Sequence, residues 1–311
     1  MPGLINTHHH LFQTLTKAII KAQNASLFDW LKILYPIWSR ITSVELKSAV
    51  KIGLSELMTS GCTTTSDHLY IFPNGIKLED EIEVAQTLGI RFHSTRGSMS
   101  IGESNGGLPP DYLVEDESFI IKDSQDIINK WHDPSHGSMI RIALAPCSPF
   151  SVSKELMRDT AILAREYNVG LHTHLAENSD DVEYSKSMFG LTPGQYIEEL
   201  GWIGKDVWHA HCVKLNNEEI DLFSRTGTSV SHCPCSNMRL GSGIFPLNKM
   251  LDKGVNIGLG VDGSASNDSG NLLNESRQAL YLQRVYETNN FYLNARNALW
   301  LATAGGATAL N

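Results

Sequence analysis

The chain is predicted to fold as a (β/α)8 barrel, and three observations carry that expectation. Eight short apolar runs alternate with amphipathic helical patterns from end to end. Histidines and acids stand at the C-terminal ends of four of those runs. No glycine-rich phosphate loop opens the first unit, which weakens the rival doubly wound sheet. A length of 311 residues accommodates eight β/α units in one domain covering residues 1–311.

The expected strands are residues 2–7, 62–67, 90–95, 139–145, 170–174, 206–211, 228–232 and 255–261. Ile140, Ile142 and Leu144 exemplify the apolar strand of a parallel sheet covered by helices. Residues 43–60 read as a helix, with Leu46, Val50, Leu54 and Met58 at four-residue intervals. Ser43 is placed to cap its start and Gly61 follows its end. Residues 153–167 read the same way, closed by Asn168 and Gly170. The stretch 97–116, rich in Gly, Ser and Pro, is long for a βα loop; it reads either as a lid over the barrel mouth or as a plain surface loop.

Composition is that of an ordinary globule, with 41% apolar and 19% charged residues. Subtracting 34 acids from 25 bases leaves −9, which argues against nucleic acid or an anionic membrane as partner. No apolar run approaches the ~20 residues of a membrane helix, and the first twenty residues do not have the layout of a signal peptide. Five scattered cysteines without a CxxC spacing indicate free thiols in a reducing cytoplasm.

Twelve histidines are the exception, and several are paired. His8, His9 and His10 follow an apolar strand and precede another apolar run, which distinguishes them from a purification tag. Alternation along a strand puts His8 and His10 on one side, facing the barrel interior at its C-terminal rim. His172 and His174 end the fifth expected strand, and Glu177 follows three residues later. His209 and His211 end the sixth, and Asp262 follows the apolar residues Val255, Ile257 and Leu259 of the eighth. Barrel topology brings these strand ends together. Imidazoles with one carboxylate and an open position suit one divalent ion per chain, zinc first and iron second. His172 and His209 share the inward parity and read as supporting or barrel-layer histidines. Glu177 has an alternative reading as a helix-start acid.

The segments PGLINTHHHLFQTL, LHTHLAEN, HAHCV, SHCPCSNMRLGSG and GLGVDGSASND resemble the amidohydrolase superfamily, in its cytosine/guanine deaminase-like branch, over the whole chain and in order. The resemblance implies that His8, His10, His174 and Asp262 hold one metal ion. It further implies that His211 contacts the reacting water or substrate, and that Glu177 shuttles protons. Such an ion lowers the pKa of a water toward ~7, Asp262 accepts its proton, Glu177 protonates a ring nitrogen of the substrate, and His211 orients the water.

Within that branch HHHLFQTLTKA, TTTSDHLYIFP and TRGSMSIGESNGGLPPD are similar to the members acting on 8-oxoguanine, which they convert to urate and ammonia. Gln13 then reads either as a hydrogen-bonding partner of a purine or as an exposed first-turn residue. Trp30 and His68, placed on loops above the barrel, read as contacts to the heterocycle, Trp30 equally as core. Isoxanthopterin, guanine and triazines are the alternative substrates. A two-metal hydrolase of the same fold calls for a lysine ending the fourth strand, and residues 139–147 offer only Arg141. A metal-holding module without turnover fits less well with an intact acid–base set. The resemblance also implies a homodimer and a small β-sandwich domain, which is expected to lie largely outside this chain, since seven residues precede His8 and the last is Asn311.

Overall fold

The computed structural model describes residues 1–287 and 293–311. Eight parallel strands close into a barrel in sequence order. They are β1 (Leu4–Asn6), β2 (Cys62–Leu69), β3 (Arg91–Ser98), β4 (Ile140–Pro146), β5 (Gly170–Leu175), β6 (Val207–His211), β7 (Ser229–His232) and β8 (Ile257–Leu259). All eight expected strands are present. β2 and β3 run further than the apolar pattern indicated, because Asp67, His68 and Arg96 are buried polar residues that continue the ladder. β1 and β8 are shorter, and a single register pair, Asn6↔Leu259, joins them. Beyond β8 the chain passes so close to β1 and β7 that a Cβ on Gly260 would lie 2.7 Å from Ser231 Oγ and 2.8 Å from His8 Cβ.

The helix Ser43–Thr59 buries Leu46, Val50, Leu54 and Leu57 and packs against β2, the turn Leu11–Thr16 and the helix Leu78–Leu88. Leu57 takes the place expected for Met58, which is 37% exposed, because a 3.6-residue period overtakes a strict four-residue repeat by the third turn. The cap lies one residue before Ser43. The Thr42 main-chain N–H donates to Glu45 Oε2 at 3.0 Å, while Ser43 Oγ donates to Asp80 Oδ1 at 2.6 Å. Ser153 caps the helix Lys154–Glu166 as expected, its Oγ accepting from the Leu156 N–H at 2.9 Å.

The barrel mouth is roofed by the helix Leu27–Trp38, so of the two readings of residues 97–116 the surface loop holds and the lid does not. Residues 99–116 end at Asp116, which caps the helix Glu117–Trp131, and none of them lines the cavity above the strand ends. Leu27, Trp30 and Leu31 do. Among the described residues no helix is long and apolar enough to cross a membrane.

Candidate active site

The triplet after β1 is built into the fold. His8 and His9 are fully buried and His10 is 3% exposed. Each of three imidazoles has its outer nitrogen committed. His10 Nδ1 donates to the His68 carbonyl at 2.7 Å, and His174 Nδ1 donates to the Cys147 carbonyl at 2.6 Å. His172 Nδ1 donates to the Trp208 carbonyl at 2.7 Å, so its Nε2 is an acceptor and takes the His8 Nδ1 proton at 2.8 Å. A carbonyl oxygen only accepts, so these bonds fix the tautomers and leave the Nε2 of His8, His10 and His174 as lone pairs. His10 Nε2 lies 3.0 Å from His174 Nε2, and both His8 and His10 Nε2 lie 3.3 Å from Asp262 Oδ1. Opposed lone pairs beside a carboxylate fit a divalent cation and the four residues expected to hold it. Burial, then neighbouring imidazoles, pulls the His174 pKa down to about 3, and burial likewise lowers His8 and His10, keeping all three neutral for coordination.

His211 reaches this cluster by an unexpected route. Alternation puts His209 and His211 on one side of β6, yet His209 faces the outer layer. Its Nε2 donates to the Trp202 carbonyl at 3.0 Å, and its ring lies against Phe223. The inward parity expected for His209 is therefore corrected, while His172 does face inward. His211 adopts φ +70°, the left-handed region, which breaks the alternation and turns its ring into the mouth. Asp262, at φ +61°, and Ala176, at φ +48° beside Glu177, share that strain.

His211 Nε2 lies 3.6 Å from Glu177 Oε2 and 3.8 Å from Asp262 Oδ2. Burial lowers the His211 pKa, but the two carboxylates outweigh it and the net direction is upward. Burial likewise acts to raise Asp262, yet the His8, His211 and His10 rings around it hold it well below the ordinary carboxyl range. Glu177 is the opposite case, pushed by burial to about 7. The site thus pairs a firmly ionised carboxylate with one poised to exchange a proton near neutrality.

Above these groups is a cavity of about 40 Å³ lined by His10, Gln13, Trp30, Tyr70, Cys147 and Glu177 among others. Gln13 is 1% exposed, with Oε1 unpartnered and Nε2 3.5 Å from the Tyr70 hydroxyl; the exposed first-turn alternative is excluded. Trp30 sits in the roof helix, 4% exposed, its indole N–H without a partner. His68 is not on a loop. It lies within β2, fully buried, stacked on the His174 ring at 4.9 Å, and does not line the cavity. The β strand continued past Asp67 because these polar side chains find partners inside: His68 Nε2 donates to the Ala145 carbonyl at 2.8 Å. Burial pushes the Cys147 thiol up to about 12, so this cavity-lining cysteine is unreactive.

Three further side chains escaped the sequence reading. Ser236 Oγ donates to Asp262 Oδ2 at 2.6 Å, Asn237 Oδ1 accepts from His211 Nδ1 at 2.9 Å, and Ser242 Oγ donates to Glu177 Oε1 at 3.4 Å. All three lie in SHCPCSNMRLGSG, where the signal was the polar run itself.

A closed (β/α)8 barrel with a buried histidine–aspartate cluster able to hold a metal, beside a buried glutamate at the C-terminal rim, has the architecture of a metal-dependent hydrolase. The chain belongs to the Amidohydrolase family, whose model matches residues 1–311. It is 48% identical to 8-oxoguanine deaminase of Pseudomonas aeruginosa, over all of this chain and 69% of that protein. It is 36% identical to an isoxanthopterin deaminase of an unknown prokaryotic organism, over 99% of this chain and 68% of that one. The chain thus spans about two thirds of these relatives' length. It also superposes on atrazine chlorohydrolase TrzN from Arthrobacter aurescens TC1 complexed with zinc, with TM-score 0.95 and 34% identity, covering all of this chain and 71% of that one.

Proposed function

We propose that this chain is the catalytic barrel of a hydrolytic deaminase acting on an aminated purine-like heterocycle, 8-oxoguanine first, with urate and ammonia as products. The observation that carries the reading is the pairing of Glu177, poised near neutral pH, with three unprotonated imidazoles and an ionised Asp262 under one small cavity. The 8-oxoguanine relative supports the substrate.

His8, His10, His174 and Asp262 would hold one ion, zinc before iron, given three nitrogen donors and one carboxylate. Bound there, it supplies a Lewis acid that lowers the pKa of a water toward ~7. The chain's own groups do the rest. Asp262 takes the proton of the attacking water, and His211 orients that water through Nε2. Glu177 gives a proton to the ring nitrogen beside the amine-bearing carbon, so that the new C–O bond forms on an electron-poor centre. The C–N bond then breaks: the proton that Asp262 collected leaves with ammonia, and the hydroxyl proton released as the carbonyl forms returns to Glu177. Gln13 and Trp30 carry the unpartnered polar groups available to the ring. His68 serves beneath the ligands, with no contact to substrate.

The test is coupled ammonia release from 8-oxoguanine, isoxanthopterin, guanine and aminated triazines, with metal content measured on the same sample. Release from 8-oxoguanine in preference to the others supports the reading. Turnover of triazines alone would move it to the triazine hydrolases, the alternative favoured by the zinc-complexed relative. We further propose a homodimer in a reducing cytosol, in keeping with five free cysteines, with light scattering as the check.

A further inference from the structure

The three proton-handling side chains come from the segment after β5, from β6 and from the segment after β8, yet one turn after β7 touches all of them. Ser236 holds Asp262 at 2.6 Å, Asn237 holds His211 at 2.9 Å and Ser242 holds Glu177 at 3.4 Å. The turn is closed on itself. The Leu240 N–H donates to the Ser236 carbonyl and the Ser242 N–H to the Asn237 carbonyl, both at 2.9 Å. Gly241 and Gly243 supply φ of +68° and +117°, which bring Ser242 back toward Glu177. Ser236, Asn237 and Ser242 are each no more than 1% exposed.

The same turn reaches the roof. Arg239 donates through Nη2 to Gln23 Oε1 at 2.8 Å, just before the roof helix, and through Nη1 to Asp268 Oδ2 at 2.7 Å, beyond β8. Leu240, the next residue, lines the cavity beneath the roof. A cavity of about 40 Å³ holds roughly three waters, less than a bicyclic heterocycle needs, so the roof must shift to admit one.

We propose that residues 234–242 form one positioning element that aligns Asp262, His211 and Glu177 as a unit, and that Arg239 ties this alignment to the seating of the roof. Asn237 is the central positioning residue: an acceptor at His211 Nδ1 keeps the proton on that nitrogen and leaves Nε2 facing the two carboxylates. When the roof lifts, the Gln23–Arg239 bond is pulled and the turn loosens; when the roof reseats over substrate, the three groups return to register. The effect on turnover rests on the deaminase reading. The alignment does not.

The experiment compares Asn237→Leu, Asn237→Asp and Gln23→Leu in the zinc-loaded protein. The readouts are metal per chain, ammonia release from 8-oxoguanine and the 15N signals of the His211 ring. Asn237→Leu should lower kcat about 10- to 100-fold with metal content unchanged and KM within about threefold, and should move the His211 signals away from the Nδ1–H tautomer. Asn237→Asp, which keeps an acceptor, should restore both. Gln23→Leu, outside the turn, should shift the same ring signals in the same direction. Unchanged His211 signals in Asn237→Leu overturn the alignment, and unchanged signals in Gln23→Leu overturn the tie to the roof. If Asn237→Leu does not fold, loss of the Nδ1–H signature in Asn237→Asp refutes the proposal instead. Absence of turnover on every heterocycle would defeat the deaminase reading, while the ring signals would still decide this one.

Discussion

His10 Nε2 and His174 Nε2 face each other at 3.0 Å, and both are acceptors, because each ring has already given its only proton to a main-chain carbonyl. Two lone pairs at hydrogen-bond distance with no proton between them repel, and Asp262 Oδ1, 3.3 Å from His10, adds negative charge. The protein is therefore expected to be more stable with a divalent ion than without. At a thousandfold excess over Kd the gain is about 4 kcal/mol. Melting temperatures of chelated and zinc-loaded protein measure it, together with one metal per chain by elemental analysis. Equal melting temperatures, or two metals per chain, would contradict the single centre.

Glu177 is expected to separate chemistry from metal binding. Glu177→Gln should keep the ion while losing about 10²- to 10⁴-fold in turnover. Because the pKa lies at about 7, kcat/KM in the native enzyme should fall as pH rises above neutrality and the donated proton is lost. The same shift acts on stability. The folded value, about 7, lies above the ordinary 4.5, so the stability this group contributes is complete below about pH 4.5 and is lost as pH rises through 7. Metal-free Glu177→Gln should therefore be more stable than the parent at pH 8 by up to about 3 kcal/mol, and equal to it near pH 4. Denaturant unfolding at the two pH values measures the difference.

Gly263, next to Asp262, gives Gln13 its place. A Cβ at position 263 would overlap the Gln13 amide, while the backbone there is open to any residue. Gly263→Ala should displace Gln13, raise KM for the heterocycle about tenfold and leave metal content intact. Steady-state kinetics with metal analysis decides the matter; an unchanged KM would remove Gln13 from the substrate's contacts.

Behind the site lies a buried carboxyl pair between β2 and the helix Leu78–Leu88. Asp67 and Glu81 are fully buried, and Asp67 Oδ1 accepts from the Leu11 N–H at 2.7 Å, just after His10. Burial pushes Asp67 to about 7, and burial with the adjacent Asp67 carries Glu81 further up. Two such neighbours share a proton near neutrality. Both folded values exceed the ordinary ones, so the pair loses stability as pH rises through 7. Glu81→Gln should flatten that decline, giving a higher melting temperature than the parent at pH 9 and little difference at pH 5. Parallel melting curves across pH would refute the shared proton.

The barrel and the gathering of histidines and an aspartate at its rim were legible in the sequence because period-two runs and strand-end histidines are local signals. His8, His10, His174 and Asp262 needed only topology to bring them together. His209 and His211 show where that logic stops. Alternation assigns them one side of β6, and a single left-handed residue separates them. Trp30 and His68 were misplaced for a related reason: TTTSDHLYIFP opens on a polar run, so β2 seemed to end at Asp67, and nothing local marked residues 27–38 as the roof. Ser236, Asn237 and Ser242 stayed hidden because a short polar side chain acquires its partner only when the turn has folded.

The thin join between β1 and β8 acquires a second meaning from the residues on either side of it. His8 and His10 leave one edge of that join and Asp262 leaves the other, while the strands themselves share only Asn6↔Leu259. An ion held by these residues would be gripped from both edges and would work as a rivet through the loosest stave of the hoop. Stripping it should let the wall unzip there first, so that amide exchange in Leu4–Asn6 and Ile257–Leu259 quickens before that of any other strand.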